Sequence, residues 1–302
     1  MREINFTADS CSSGKTVGEV LKIRLSVSSK LLTELKRTGG ILLNGKNVTV
    51  IEKVNSGDVL SVLMCEQQPS ENVVPRFIPI DILYEDEDIL AVSKPKDMPI
   101  HPSINNYENT LGNAVMFYYR SAPFVYRPVT RLDRDTTGAV IIAKNRLAGA
   151  ILSEQIKKGE IKKTYIALLS KTPAEKEGKI AAPIKRCGES IIKRCVCKNG
   201  KSAVTEYKVL CTFNDGSCIV QVHPVTGRTH QIRVHMAYIG CPLSYDYLYG
   251  TETEGKTFCL HCSSLEFIHP VTRLPLKIEC PLPDDSELLQ RLAGFKSTDN
   301  KE

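Results

Sequence analysis

From residue 80 onward the chain is cut into short apolar runs with turn residues between them, at 89–92, 139–143, 165–169, 203–210, 218–222 and 232–235. Runs this short, rich in β-branched residues, read as strands rather than helices. Only two stretches, 110–119 and 147–156, carry the longer apolar pattern of a helix. Strands following one another across short turns pair antiparallel. The expected fold class is therefore α+β, a mainly antiparallel mixed sheet with a few packed helices.

The start of the chain follows another pattern. Residues 16–63 predict two helices, at 16–25 and 28–38, then short strands at 41–43 and 59–63, with Thr16 and Ser28 as N-caps. Between Lys22 and Lys46 stand six basic residues, Lys22, Arg24, Lys30, Lys36, Arg37 and Lys46, against one acid, Glu34. A basic helix pair beside Gly39-Gly40 and Asn44-Gly45 suits capture of an RNA backbone; the plainer reading is a solvated helix surface. Residues 64–79, polar and turn-prone around Gln67-Gln68-Pro69-Ser70, read as a linker. A chain of 302 residues can hold one large domain and one small one. The expected division is 1–68, a linker at 69–79, and a catalytic domain at 80–302.

The net charge of +6 permits nucleic-acid binding without demonstrating it. No apolar run reaches the roughly 18 residues of a membrane span, and Met1-Arg2-Glu3-Ile4-Asn5 lacks the order of a signal peptide. No membrane association is expected, and a cytoplasmic location is. Eleven cysteines, odd in number and scattered, read as reduced thiols. Cys259 and Cys262 have metal-ligand spacing, but Cys195-Val196-Cys197 is too closely spaced to supply the second pair of a zinc knuckle. Gly14-Lys15-Thr16 and Gly200-Lys201-Ser202 resemble the end of a phosphate-binding loop, yet Asp9 and Cys195 stand where its first glycine is required. Asp133, Asp135, Thr137 and Gly138 match the opening of a calcium loop that fails at Lys144, where a glutamate is needed. No metal site is expected.

The densest chemistry lies in Arg131-Leu132-Asp133-Arg134-Asp135-Thr136-Thr137-Gly138, which runs into the apolar stretch 139–143. Asp133 then sits on a loop feeding a rigid core strand, where a reactive group can be held. Arg131 and Arg134 would favour its charged form and could hold phosphate oxygens; the plainer reading is an ion-pair loop. Four further stretches are rich in polar groups: 94–102, starting Lys94-Pro95; 163–167, starting Lys163-Thr164-Tyr165; 227–235, Gly-Arg-Thr-His-Gln-Ile-Arg-Val-His; and 261–270.

In this order, and with Gly240-Cys241-Pro242 and Asp246 to Gly250, the segments resemble the RluA family of pseudouridine synthases, in the branch that also carries an S4 RNA-binding domain. The S4 likeness rests on Gly39 to Gly45 and Gly57-Asp58. The resemblance implies isomerisation of uridines in RNA to pseudouridine without a cofactor, ribosomal RNA of the large subunit being the family's commonest substrate and transfer RNA an alternative. It implies that Asp133 acts at the sugar, as nucleophile or base, that Arg228 pairs with it, and that Tyr165 stacks on the base and helps remove the carbon 5 proton. It implies that Arg131 fills the space left by an extruded nucleotide. Lys163 is expected at phosphate, with Lys22, Arg24, Lys36 and Arg37 forming the RNA face of the S4 unit. Arg233 and His101 are weaker candidates for phosphate contact or support, and His230, His235 and His269 are expected to be structural. The chain departs from the family pattern at Thr130, Thr137, Tyr245 and Arg273, the last two standing where glycine is usual. A monomer is expected. The competing classes are a non-catalytic RNA-binding or ribosome-assembly factor, and a zinc deaminase, which lacks its His-Xaa-Glu signature.

Overall fold

The structure, a computed structural model, describes residues 2–64, 70, 73–104, 106–188 and 190–299, with side chains to residue 294. Residues 65–69 and 71–72, in and beside the expected linker, lie outside the described residues.

The first part holds β1 (Arg2–Thr7), α1 (Val17–Arg24), α2 (Ser29–Thr38), β2 (Ile41–Leu43), β3 (Lys46–Asn47) and β4 (Val59–Met64). Its four strands form an antiparallel sheet in the order β1-β4-β2-β3. The caps stand where the sequence puts them. Thr16 and Glu19 close a capping box on α1, and the Ser28 hydroxyl accepts the Leu31 N–H at the start of α2. Asn44 and Gly45, at φ 51° and 77°, make the tight turn between β2 and β3. Val20, Leu21, Leu35, Leu60 and Val62 form a core of their own, which Leu147 and Ile151 of the second part join.

The second part contains β5 (Asp81–Glu85), β6 (Ile89–Lys94), α3 (Leu111–Tyr118), β7 (Thr137–Ala143), α4 (Arg146–Lys158), β8 (Lys162–Leu169), β9 (Glu177–Ala181), β10 (Ile184–Arg186), β11 (Arg194–Val196), β12 (Val204–Thr212), β13 (Cys218–Pro224), α5 (Gln231–Tyr238), β14 (Leu260–Ile268), β15 (Pro275–Glu279) and α6 (Glu287–Asp299). Nine strands make one sheet, ordered β5-β6-β7-β14-β8-β13-β12-β9, with β15 on β14. All its pairs are antiparallel except β7 with β14. The fold is α+β with a mainly antiparallel mixed sheet, as the sequence predicts. Among the described residues no helix is long and apolar enough to cross a membrane.

The parallel pair sits mid-sheet and depends on Gly138. Its φ is 115°, and a Cβ there would collide with the Cys262 backbone across the pair.

One predicted strand is wrong. Residues 232–235 lie in α5, every residue of which from Gln231 to Met236 is buried. Burial all round erases the alternation that separates helix from strand in so short a run. Its polar members are buried because each has a partner: Gln231 bonds Val204 O, Arg233 bonds Asp246, and His235 bonds Thr205 and Ala182 O.

Candidate active site

Asp133 lies on the loop that enters β7, and this loop is fastened from beneath. Lys94, fully buried at the end of β6, donates to the carbonyls of Arg134 (2.8 Å) and Pro95 (2.7 Å). Met98 N–H also donates to Arg134 O. Burial pushes the Lys94 amine down to about 7, against the pull of Asp135, Asp133 and Asp97. Arg134 forks onto buried Asp135 (2.9 and 3.1 Å). The Arg-Leu-Asp-Arg-Asp run is thus partly an ion-pair loop, with Arg134 and Asp135 as its structural pair and Asp133 left facing a cavity.

That cavity, about 300 Å³, is large enough for a nucleoside. The Asp133 loop, β8 and the turn into α5 line it. Tyr165 enters from β8, in register with Cys262 of β14 and Val222 of β13. Burial holds its phenol well above the ordinary tyrosine value. Lys163, two residues earlier, also lines the cavity, and burial lowers its pKa. Arg131 lies exposed on the rim.

The cation facing Asp133 is Arg233, and this corrects the expectation for Arg228. Arg228 does line the cavity, but its Nε donates to the Ser202 carbonyl (2.9 Å), and its own N–H is held by the Gln231 side chain. Arg233 Nη1 stands 3.8 Å from Asp133 Oδ2. Arg233 is 2% exposed and Asp246 is fully buried. Asp246 takes Arg233 Nε and Nη2 in two 2.7 Å bonds, leaving Nη1 toward Asp133. The Phe258 ring lies 4.1 Å from the guanidinium carbon and Tyr249 5.0 Å away, so the fork has little room to turn. Burial opposes its charge, but Asp246 and Asp133 outweigh it and its pKa rises.

A second group was expected to be only structural. His230 Nε2 is 4.0 Å from Asp133 Oδ2, and Nδ1 is 2.8 Å from the Tyr249 hydroxyl. That hydroxyl accepts the Arg194 N–H (2.9 Å); where it also gives its own proton to Nδ1, neutral His230 carries its proton on Nε2, facing Asp133. Burial lowers the His230 pKa, with Asp133 pulling the other way. Its backbone is left-handed at φ 57°, strain of about 1–3 kcal/mol that the surrounding contacts must offset. The signal that could have found both groups is their spacing: residues three apart share one face of a helix but opposite faces of a strand.

The remaining expected residues fall elsewhere. Lys22, Lys36 and Arg37 are exposed on the helices of the first part, and Arg24 is paired with Asp9. Lys36 and Arg37, adjacent in α2, point about 100° apart, so the four do not make one continuous face. His101 packs edge-on against Tyr126 (5.2 Å), and His235 and His269 are buried. The departures from the family pattern are accommodated. Tyr245 and Arg273 keep positive φ, 63° and 62°. The Tyr245 hydroxyl bonds Glu287, and Lys256 lies over its ring. Thr130 accepts the Ile141 N–H, and Thr137 bonds His261.

Among the described residues the only three metal-type donors gathered together are Asp86, Asp88 and His269. Arg2 forks onto Asp88, Asn145 donates to it, and two backbone N–H groups occupy His269 Nδ1. With its donors engaged, the cluster serves as a polar joint between the two parts rather than as a metal site.

The cavity presents a carboxylate under a fixed cation, a neutral histidine and a buried phenol, and its described lining holds threonine hydroxyls but no cysteine, serine or second carboxylate. That set suits chemistry at a sugar carbon of a flat-based nucleoside. A family model described as RNA pseudouridylate synthase matches residues 88–238, which include Asp133, Tyr165, His230 and Arg233. The uncharacterized RNA pseudouridine synthase YjbO of Bacillus subtilis (strain 168) is 42% identical over 88% of this chain and 95% of its own. Ribosomal large subunit pseudouridine synthase D of Xylella fastidiosa is 34% identical over 89% and 85% respectively. The solved structure of human RNA pseudouridylate synthase domain containing 1 superposes with a TM-score of 0.59 at 26% identity, over 72% of this chain and 94% of that one. The chain belongs to the RNA pseudouridine synthases.

Proposed function

We propose that this synthase acts on ribosomal RNA of the large subunit and that Asp133 carries the reaction. The substrate reading draws on relatives named for the large ribosomal subunit, in Xylella fastidiosa and Vibrio cholerae among others. Residues 1–68 are read as an S4-like RNA-binding domain and 80–302 as the catalytic domain. The enzyme is read as a monomer working in the cytoplasm.

In the isomerisation the bond between C1′ and N1 breaks, the base turns, C1′ bonds C5, the C5 proton leaves to solvent and N1 gains one. No electrons are transferred to another molecule. The observation that carries the reading is the Asp133 carboxylate in the cavity, 3.8 Å from a guanidinium locked by Asp246. A carboxylate kept ionised and aimed can attack C1′ or take a proton from the sugar. Arg233, not Arg228, is the partner that holds it; Arg228, on the cavity wall, is read as a substrate contact. Tyr165 packs against the base. Its raised pKa keeps the phenol neutral, which makes phenolate a poor choice for removing the C5 proton. Arg131, on the rim, is read as occupying the stack once the nucleotide leaves it. Lys163 is read as a phosphate contact.

The test is tritium release from ribosomal RNA labelled at uracil C5. Wild type should release it, and Asp133→Asn should lose at least about 10³-fold while still binding RNA. An active Asn variant would remove the assignment; release from transfer RNA alone would redirect the substrate.

A further inference from the structure

A second cavity lies between the two parts of the molecule. It encloses about 560 Å³ and is lined by Lys30 and Leu31 of α2, Arg127 and Val129 of the segment before β7, and Arg146 and Ala150 of α4. Val129 lines the active-site cavity as well. One stretch of backbone therefore floors both spaces, running from Val125 and Arg127 through Val129 to Arg131 and Asp133. A strand whose nucleotide enters the catalytic cavity has this groove as an adjoining path.

Its lining suits a nucleic-acid strand. The floor is apolar at Leu31, Val129 and Ala150, which fits a ribose or a base face, and Lys30, Arg127 and Arg146 supply positive charge around it. The stem of Arg127 passes 3.8 Å from where a Cβ on Gly149 would be, so the arginine lies along the groove wall. Arg146 is paired with Glu34 of α2, and the pair spans the two parts with each side chain about a third or more exposed. An exposed pair of this kind is worth little and exchanges readily. A phosphate oxygen can take the place of the Glu34 carboxylate.

We propose that this groove holds the sugar-phosphate backbone of the RNA strand flanking the target uridine, with Lys30 and Arg146 meeting phosphates and Glu34 occupying Arg146 until RNA arrives. The proposal rests on the RNA-synthase reading above and adds the route of the strand. It makes the contact between the two parts a binding site rather than a hinge.

The experiment measures the binding of an in vitro ribosomal RNA transcript that the wild type isomerises, against salt, for Lys30→Glu, Arg146→Gln and Glu34→Gln. Lys208→Glu, on the exposed face of β12, serves as a control for bulk charge. Lys30→Glu should weaken binding about ten-fold and reduce the slope of log affinity against log salt by about 1, with Arg146→Gln acting in the same direction. Both should raise KM more than they lower kcat, and both should lose far less on a transcript trimmed close to the target uridine. Glu34→Gln should bind more tightly than wild type, since it removes the competitor of phosphate. Equal losses from Lys30→Glu and Lys208→Glu, or weaker binding by Glu34→Gln, would overturn the groove while leaving the synthase reading intact. Failure of the wild type to release tritium from any RNA would instead remove the reading on which the groove rests.

Discussion

The catalytic cavity and the groove beside it use the same residue types in opposite ways. At Asp133 the supporting charges are buried and each is aimed by another: Asp246 holds Arg233, Arg233 faces Asp133, and Lys94 pins the loop beneath. In the groove the charges sit on long, partly exposed stems, and the pair that closes it, Arg146 with Glu34, is open to solvent. Chemistry at one sugar carbon needs a geometry fixed before the substrate arrives. Grip on an RNA backbone needs charge that can follow it. Damage should accordingly be steep in the cavity and graded in the groove.

The sharpest way to break this contrast is Asp246→Asn. The change keeps the shape but leaves a buried guanidinium without its counter-charge, at a cost of about 3–5 kcal/mol. The melting temperature should fall markedly, and tritium release should drop at least about 100-fold in whatever fraction stays folded. An Asp246→Asn variant that melts and turns over like wild type would show that Arg233 needs no anchor.

Lys94 offers a test through pH. Its folded pKa is depressed by burial to about 7, below the ordinary lysine value of about 10.4. Between those values the unfolded chain binds more protons, so the burial penalty is present in full below the folded value and is relieved as pH rises through the window. Stability should therefore increase from about pH 7 toward pH 10 in wild type, relative to Lys94→Met, followed by denaturant midpoint. The Met variant also removes the Lys94 bond to Pro95 O and leaves Arg134 O with the Met98 N–H alone, so its loop should hold Asp133 less well and its activity should fall. A flat difference between the two pH profiles would mean that Lys94 is charged throughout.

A smaller effect is expected at Tyr249→Phe, which keeps the ring beside Arg233 and removes one hydroxyl. Losing that bond should cost about 1 kcal/mol, or roughly five- to ten-fold in kcat. The deficit should narrow as pH falls below the ordinary histidine value of about 6.5, because a protonated His230 presents Nε2–H to Asp133 whichever tautomer it began in. A purely structural role for Tyr249 would give a loss that does not depend on pH.

These groups also mark how far the sequence could be read. The strands at 89–92, 139–143 and 165–169 were legible because their apolar runs are short and bounded by turns, and Thr16 and Ser28 were legible as caps because capping is local. Asp133 and Tyr165 stood out against such runs. Arg233 did not, because the buried helix α5 looked like a strand, and the polarity that brings Asp246 to it depends on contacts 13 residues apart. β14 was not picked out as a strand because His261, Ser263, Ser264 and Glu266 break its apolar run. Their partners, among them Thr137 for His261 and Thr164 O for Ser263, come from distant strands. Long-range polar pairing is what the residue pattern least records.

The gentlest test separates two neighbours on α2. Lys30, Glu34 and Arg37, spaced four and three apart, share one flank of the helix, whereas Lys36 points about 100° away from Arg37. If the strand follows the groove, Arg37→Gln should weaken RNA binding about two- to three-fold, as loss of one exposed phosphate contact would, and Lys36→Gln should weaken it less. Raising the salt should close the gap between them, since both charges are exposed and screening at about 1 M reaches within about 3 Å. Equal effects at low salt would mean that the first part attracts RNA by its summed charge alone. The contrast with the cavity would then be one of charge density rather than of a defined path.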